Sequence, residues 1–220
     1  MKAKAIKVMM WKEARFFLHA RRRLALAIFI PSLSGALFVS YYDQMLVVPT
    51  ALMGMFFGIF FLASDILYSE RLNKTFVHLL ASPITVRELF LGKAFTLVII
   101  SYPIEWITLI TSGSFAWFKF GELPSLSPSL VLMTVIVIPI WGFAFIELLG
   151  ITYALTGSEI VVGVMGLPVL FSVINPRGVP RIEMLFSSPW GSAVAGIGMA
   201  LLLGLLVGKI SKEWMTRVLS

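Results

Sequence analysis
The sequence predicts an all-α membrane protein with six transmembrane helices, an N-terminal amphipathic interfacial helix, and a cytoplasmic helical segment between spans two and three. Three observations carry that prediction. The 220 residues are 59% hydrophobic and only 13% charged, with a mean hydropathy of +0.95. Soluble domains are about a quarter charged, so this balance lies well outside their range. Apolar runs near the ~20 residues that cross a bilayer recur along the chain. Finally, basic residues gather on one side of those runs, as the positive-inside rule requires.

The spans are about Leu24–Tyr41, Leu46–Leu67, Ala94–Phe115, Leu130–Leu155, Ile160–Ile174 and Trp190–Gly208. The fifth is short for a plain crossing, which needs roughly 17–25 residues, so it extends into the next loop, is only partly lipid-exposed, or is re-entrant. With the N-terminus inside, the segments 1–23, 68–93, 155–159 and 209–220 hold 15 of the 18 Lys and Arg. That bias places both termini in the cytoplasm of a multi-pass cell-membrane protein. The first apolar run begins after a long basic segment and lacks a small-residue cleavage pattern, so it is not a signal peptide. Residues 1–220 read as a single transmembrane domain, with no stretch long enough for a separate globular unit.

The charge excludes less than it seems to. A net charge of +7 fits nucleic acid in principle, yet these charges sit at membrane edges, facing anionic headgroups, and no nucleic-acid role is expected. Cysteine is absent, which excludes disulfides, thiolate metal sites and thiol catalysis.

In the first 23 residues, Ile6, Met9, Met10, Phe16, Phe17 and Ala20 fall on one helical face. Lys4, Lys7, Lys12, Arg15, His19 and Arg22 fall on the other. This is the pattern of a helix lying on the inner leaflet, serving as an anchor or as a docking surface for a cytoplasmic partner. Glu13 interrupts the apolar face and calls for a basic neighbour.

The segment 68–93 is more elaborate than a connector. Leu72, Phe76, Leu79 and Leu80 form an apolar stripe at helical spacing. The stripe stops at Ser82-Pro83, because a residue before proline avoids the α region. Thr85 and Glu88 then form a capping box, flanked by Ile84 and Leu89 at the staple positions. A short surface helix, a stiff corner and a helix running into span three result.

That ordered set resembles the cytoplasmic loop of ABC type-2 exporter permeases. The residues carrying the resemblance are Glu70-Arg71, Thr75, Leu79-Leu80, Ser82-Pro83, Glu88 and Gly92-Lys93, with Lys12-Glu13, Arg15, Arg21–Arg23 and Pro31 at the entry to span one. Lys74 and Val77 depart from the pattern, standing where the family has Gly and commonly an acid. The resemblance implies a permease that moves a substrate out of the cytoplasm as a dimer with a second copy or a related permease. Each half would dock on a separate ATP-binding-cassette subunit that carries ATP and Mg2+. This chain itself would bind no cofactor and be no enzyme. By the same resemblance, Arg71, Leu72, Phe76, Leu79, Leu80, Ser82, Pro83, Thr85 and Glu88 would couple to the ATPase through a coupling helix. Lys12, Glu13 and Arg15 would dock beside it, and the outer loop 175–189 would dip back into the membrane.

Gly204 to Lys209 superficially suggests a phosphate loop, but the glycine spacing is short and Ile210 stands where Ser or Thr is needed. Gly204/Gly208 and Gly54/Gly58 read instead as small-xxx-small packing faces. Glu105 and Glu147 are the costly residues within spans, and both are candidates for a translocation path. At ~1.5 Å per residue they stand about 17 Å and 12 Å from the cytoplasmic ends of their spans, so they are expected to share a layer. Ser101, Tyr102, Thr108 and Thr152 are the nearby polar groups. No Lys or Arg is expected at that depth, and at least one carboxyl is expected to be protonated or hydrogen-bonded. Pro31, Pro103, Pro139 and Pro168 are expected kinks.

Competing classes are a haem-exporter-type permease of cytochrome c maturation, a non-transporting membrane scaffold and, least favoured, an intramembrane enzyme. His19 and His78 lie outside the spans, and no HExxH or GxSxG motif is present.

Overall fold
A computed structural model describes residues 7, 10–12, 21–41, 47–72, 85–121, 127–156, 158, 188–211 and 213. Among them the chain is all-helical. The long helices are α1 (Arg21–Tyr41), α2 (Val47–Leu72), α3 (Val86–Phe120), α4 (Pro128–Thr156) and α5 (Pro189–Lys209). Three of them, α3, α4 and α5, are long and apolar enough to cross a membrane. The chain is therefore a multi-pass membrane protein by length and composition. The expected fifth span, its Pro168 and nearly all of the outer loop lie outside the described residues.

Helix boundaries follow local chemistry. α3 opens on the capping box: the Glu88 amide donates to Thr85 Oγ1 at 3.2 Å, and the Thr85 amide donates to Glu88 Oε2 at 3.0 Å. It closes 35 residues later on Gly121, whose φ of 75° is the left-handed conformation that ends helices. The helix is about 52 Å long, well beyond the ~30 Å thickness of a hydrocarbon core. α4 and α5 each begin with a Ser N-cap followed by Pro at the first helical position, Ser127-Pro128 and Ser188-Pro189. The α4 backbone widens into a π-helical turn over Met133–Val137, just before Pro139. A proline ring clashes with the carbonyl four residues back, and the wide turn gives it room.

One boundary differs from expectation. α2 runs unbroken through Leu72, so Arg71 and Leu72 continue the helix that carries the apolar run of the expected second span, and the remainder of the expected surface helix lies outside the described residues. No Gly or Pro between Ile59 and Leu72 interrupts it. Lys93, expected at the membrane edge, is buried at 2% exposure.

The helices pack through small residues, as backbones must where lipid offers no hydrophobic drive. A methyl group on Gly54 would meet the Glu105 Cα at 2.8 Å, and one on Gly58 would meet Ile104 at 3.2 Å, so α2 and α3 pack closely. Gly35 of α1 and Gly54 of α2 both approach Thr108, which gathers three helices at one level. The Phe95 and Phe143 rings meet at a tilt, centroids 5.1 Å apart, and Gly150 faces Phe90, which makes α3 and α4 antiparallel. Along α5, Ser192 and Gly196 face Trp141, and Gly204 faces Glu147. α4 and α5 are therefore parallel, and Thr156 and Pro189 lie at opposite ends of the bundle.

Candidate functional site
Two sites grow out of this packing, one around each intramembrane glutamate. Ser101, Glu105, Thr108 and Ser112 recur on α3 at i, i+4, i+7 and i+11, a spacing that aligns them on one face, and all are buried. Glycines from two other helices close over this seam. Gly54 of α2 lies against Glu105 and Thr108, and a methyl on Gly35 of α1 would stand 2.5 Å from Ser112 Oγ. Glu105 is fully buried, and neither carboxyl oxygen has a hydrogen-bond partner among the described residues. Thr108 is no help to it, since its hydroxyl donates to the Ile104 carbonyl at 2.8 Å. Ser101 Oγ and Ser112 Oγ are likewise buried without partners among the described residues. Tyr102 instead faces Trp106, ring edge to face.

Glu147 occupies a different wall. It lies 4% exposed on α4, and its Oε1 is 3.1 Å from where a methyl on Gly204 of α5 would stand. Its Oε2 lacks a hydrogen-bond partner among the described residues. It lines a groove of about 370 Å³ between α3, α4 and α5, open along one side. The α3 lining ends at Val98, two turns or about 10 Å of helix short of Glu105. The two carboxyls thus face different helices, Glu105 toward α2 and Glu147 toward α5, and the groove that holds one does not reach the other. Thr152 is satisfied locally, donating to the Leu148 carbonyl at 2.9 Å.

A second correction concerns charge. Arg87 lines the same groove and acts electrostatically on the Glu147 carboxylate. Its Cδ is 3.8 Å from the place a Gly208 methyl would take, one turn along α5 from the glycine that faces Glu147. By sequence Arg87 belongs to the cytoplasmic segment. Its long stem on the first turn of α3 carries the charge back toward α4 and α5. Only the antiparallel register of α3 and α4 reveals that reach, and no linear motif encodes it.

Of the other expected residues, Thr85 and Glu88 form the capping box that their spacing predicts. Leu89 is buried, while its staple partner Ile84 lies outside the described residues. Arg71 and Leu72 are described in backbone only, and Phe76, Leu79, Leu80, Ser82 and Pro83 lie outside the described residues. So do Glu13 and Arg15. Lys12 is helical and exposed, beside an exposed Trp11 (64%). Among the described residues no cluster of three or more His, Cys, Asp or Glu is placed to hold a metal. Comparison with protein-family models, with curated proteins and with solved structures finds no match.

Proposed function
We propose that the chain is the six-span permease subunit of an ATP-driven exporter, working as a dimer with a separate ATP-binding-cassette subunit that supplies ATP and Mg2+ chemistry. The observation that carries this reading is α3. Its first turn is locked by the Thr85–Glu88 box, and the same unbroken 35-residue helix then passes the Arg87–Glu147 groove and the Glu105 seam. A push applied at the corner before Thr85 would travel along this one helix, directly to the Glu147 groove and, past Pro103, to the Glu105 seam. A rigid element biased from a distant site is what coupling of this kind requires.

The parallel run of α4 and α5 supports six spans. A chain that leaves the bundle at Thr156 and re-enters at the opposite end has to cross once more between them, where the apolar run Ile160–Ile174 lies in the sequence. Both termini then lie on the basic, cytoplasmic side.

The test is purification of the tagged chain from native membranes in mild detergent, followed by identification of co-purifying subunits. A stoichiometric ATPase with a Walker motif, hydrolysing ATP faster in the complex than alone, is the expected outcome. Isolation of the chain with no ATPase, from cells in which it is functional, would overturn the permease reading.

A further inference from the structure
The groove around Glu147 has a polar end and an apolar body. Arg87, Glu147 and Gly204 are the lining residues at one end of α3, α4 and α5, and Val98, Pro139 and Ile197 are those at the other. From Arg87 to Val98 the α3 wall extends about 16 Å, close to half of a ~30 Å hydrocarbon core. The body is lined by Leu91, Phe95, Phe143 and Leu201, and the Phe95 and Phe143 rings lie 5.1 Å apart. Volume is about 370 Å³, at the low end of ligand pockets, which suits one slender chain.

We infer that this groove binds a single-chain cationic amphiphile entering from the bilayer, with its ammonium at Glu147 and its tail along the apolar body. Glu147 is only 4% exposed, and its Oε2 has no hydrogen-bond partner among the described residues. Such an oxygen in an apolar wall attracts a cation strongly. The adjacent aromatic faces favour the same charge. Arg87 is the resident counter-charge, and its exposed position lets it swing to water when a ligand cation arrives. An anionic headgroup would instead meet the Glu147 carboxylate just inside Arg87. This inference rests on the groove's own geometry and not on coupling to an ATPase, and a binding assay without nucleotide separates the two.

The experiment measures equilibrium binding of tritiated dodecyltrimethylammonium to the full chain in phosphatidylcholine nanodiscs, against empty nanodiscs. A saturable component is expected. Glu147→Gln weakens it roughly tenfold or more, Arg87→Gln tightens it severalfold, and Ala200→Phe, which fills the body and keeps both charges, abolishes it. Non-saturable partitioning equal to empty nanodiscs overturns the inference, as does binding that Glu147→Gln leaves intact. A loss of affinity in Arg87→Gln overturns it in favour of an anionic or zwitterionic ligand. Should Glu147→Gln fail to fold, the direction of the Arg87→Gln effect and the Ala200→Phe block decide.

Discussion

At the scale of single residues, Glu105 poses the sharpest energetic question. A fully buried carboxyl with neither oxygen hydrogen-bonded among the described residues costs stability, on the order of 1–3 kcal/mol for an unsatisfied group. Replacing it by an apolar side chain of similar length removes that cost. Glu105→Met is therefore expected to raise the thermal unfolding midpoint of the chain in detergent and, if Glu105 lines the path of the proposed permease, to lower its transport. A fall in both would mean the carboxyl has a stabilising partner. Gly54 gives the opposite sign. A methyl there would make a 2.8 Å contact with the Glu105 backbone, which cannot yield as a side-chain tip would. Gly54→Ala should destabilise by about 1–3 kcal/mol, the usual cost of overpacking. Gly198→Ala, with nothing within 4 Å, should be neutral or stabilise by up to ~1 kcal/mol. Equal shifts in the two alanine variants, read by thermal denaturation, would refute the close-packing argument. At this scale the sequence exposes which residues are expensive but not what they touch. Glu105, Glu147 and the Gly54/Gly58 pair are all legible from composition and spacing. The separation of the carboxyls and the approach of Arg87 depend on helix register and side-chain reach, which a linear pattern does not contain.

At the scale of elements, the readable signals are those acting over three or four residues. The Thr85–Glu88 box is local chemistry, and the helix begins where it says. Ser127-Pro128 and Ser188-Pro189 are start signals of the same kind, and they set the starts of α4 and α5 one or two residues before the apolar runs begin. The extension of α2 to Leu72 is not legible in the same way, because polar residues after Asp65 mark the end of an apolar run and not the end of a helix. Helix geometry has no such preference and continues until a breaker stops it. The box also supports a prediction. Thr85→Ala removes the hydroxyl that accepts from the Glu88 amide, at a cost of about 1 kcal/mol. Amide exchange over the first turn of α3 should quicken about fivefold while the helix centre stays protected. In the proposed complex the same substitution should lower transport per ATP hydrolysed. Unchanged exchange at the first turn would show that the cap does not hold it, and unchanged stoichiometry would show that the corner is not a lever.

At the scale of the whole molecule, the direction of α5 relative to α4 decides the topology. Trp141 Nε1 donates to the Ser192 carbonyl at 3.2 Å and to Ser192 Oγ at 3.1 Å. Glu147 faces Gly204 farther along both helices, so the pair cannot be a simple antiparallel hairpin. It follows that Thr156 and Ser188 open at opposite ends of the helix pair, which in the proposed six-span arrangement are opposite faces of the membrane. The absence of cysteine makes this directly measurable, because any introduced thiol is unique. Thr156→Cys and Ser188→Cys, each at an exposed position, should react with a membrane-impermeant maleimide from opposite sides in right-side-out and inverted vesicles. With the basic segments inside, Thr156→Cys labels in inverted vesicles, and Ser188→Cys labels in right-side-out ones together with Gly121→Cys at the end of α3. Labelling of positions 156 and 188 from one side would remove the expected fifth span, Ile160–Ile174, and leave five crossings. It would also detach the C-terminus from the cytoplasmic face, and with it the arrangement on which an ATP-driven permease depends. Opposite labelling with the two sides exchanged would keep the fold and invert the direction in which any cargo moves.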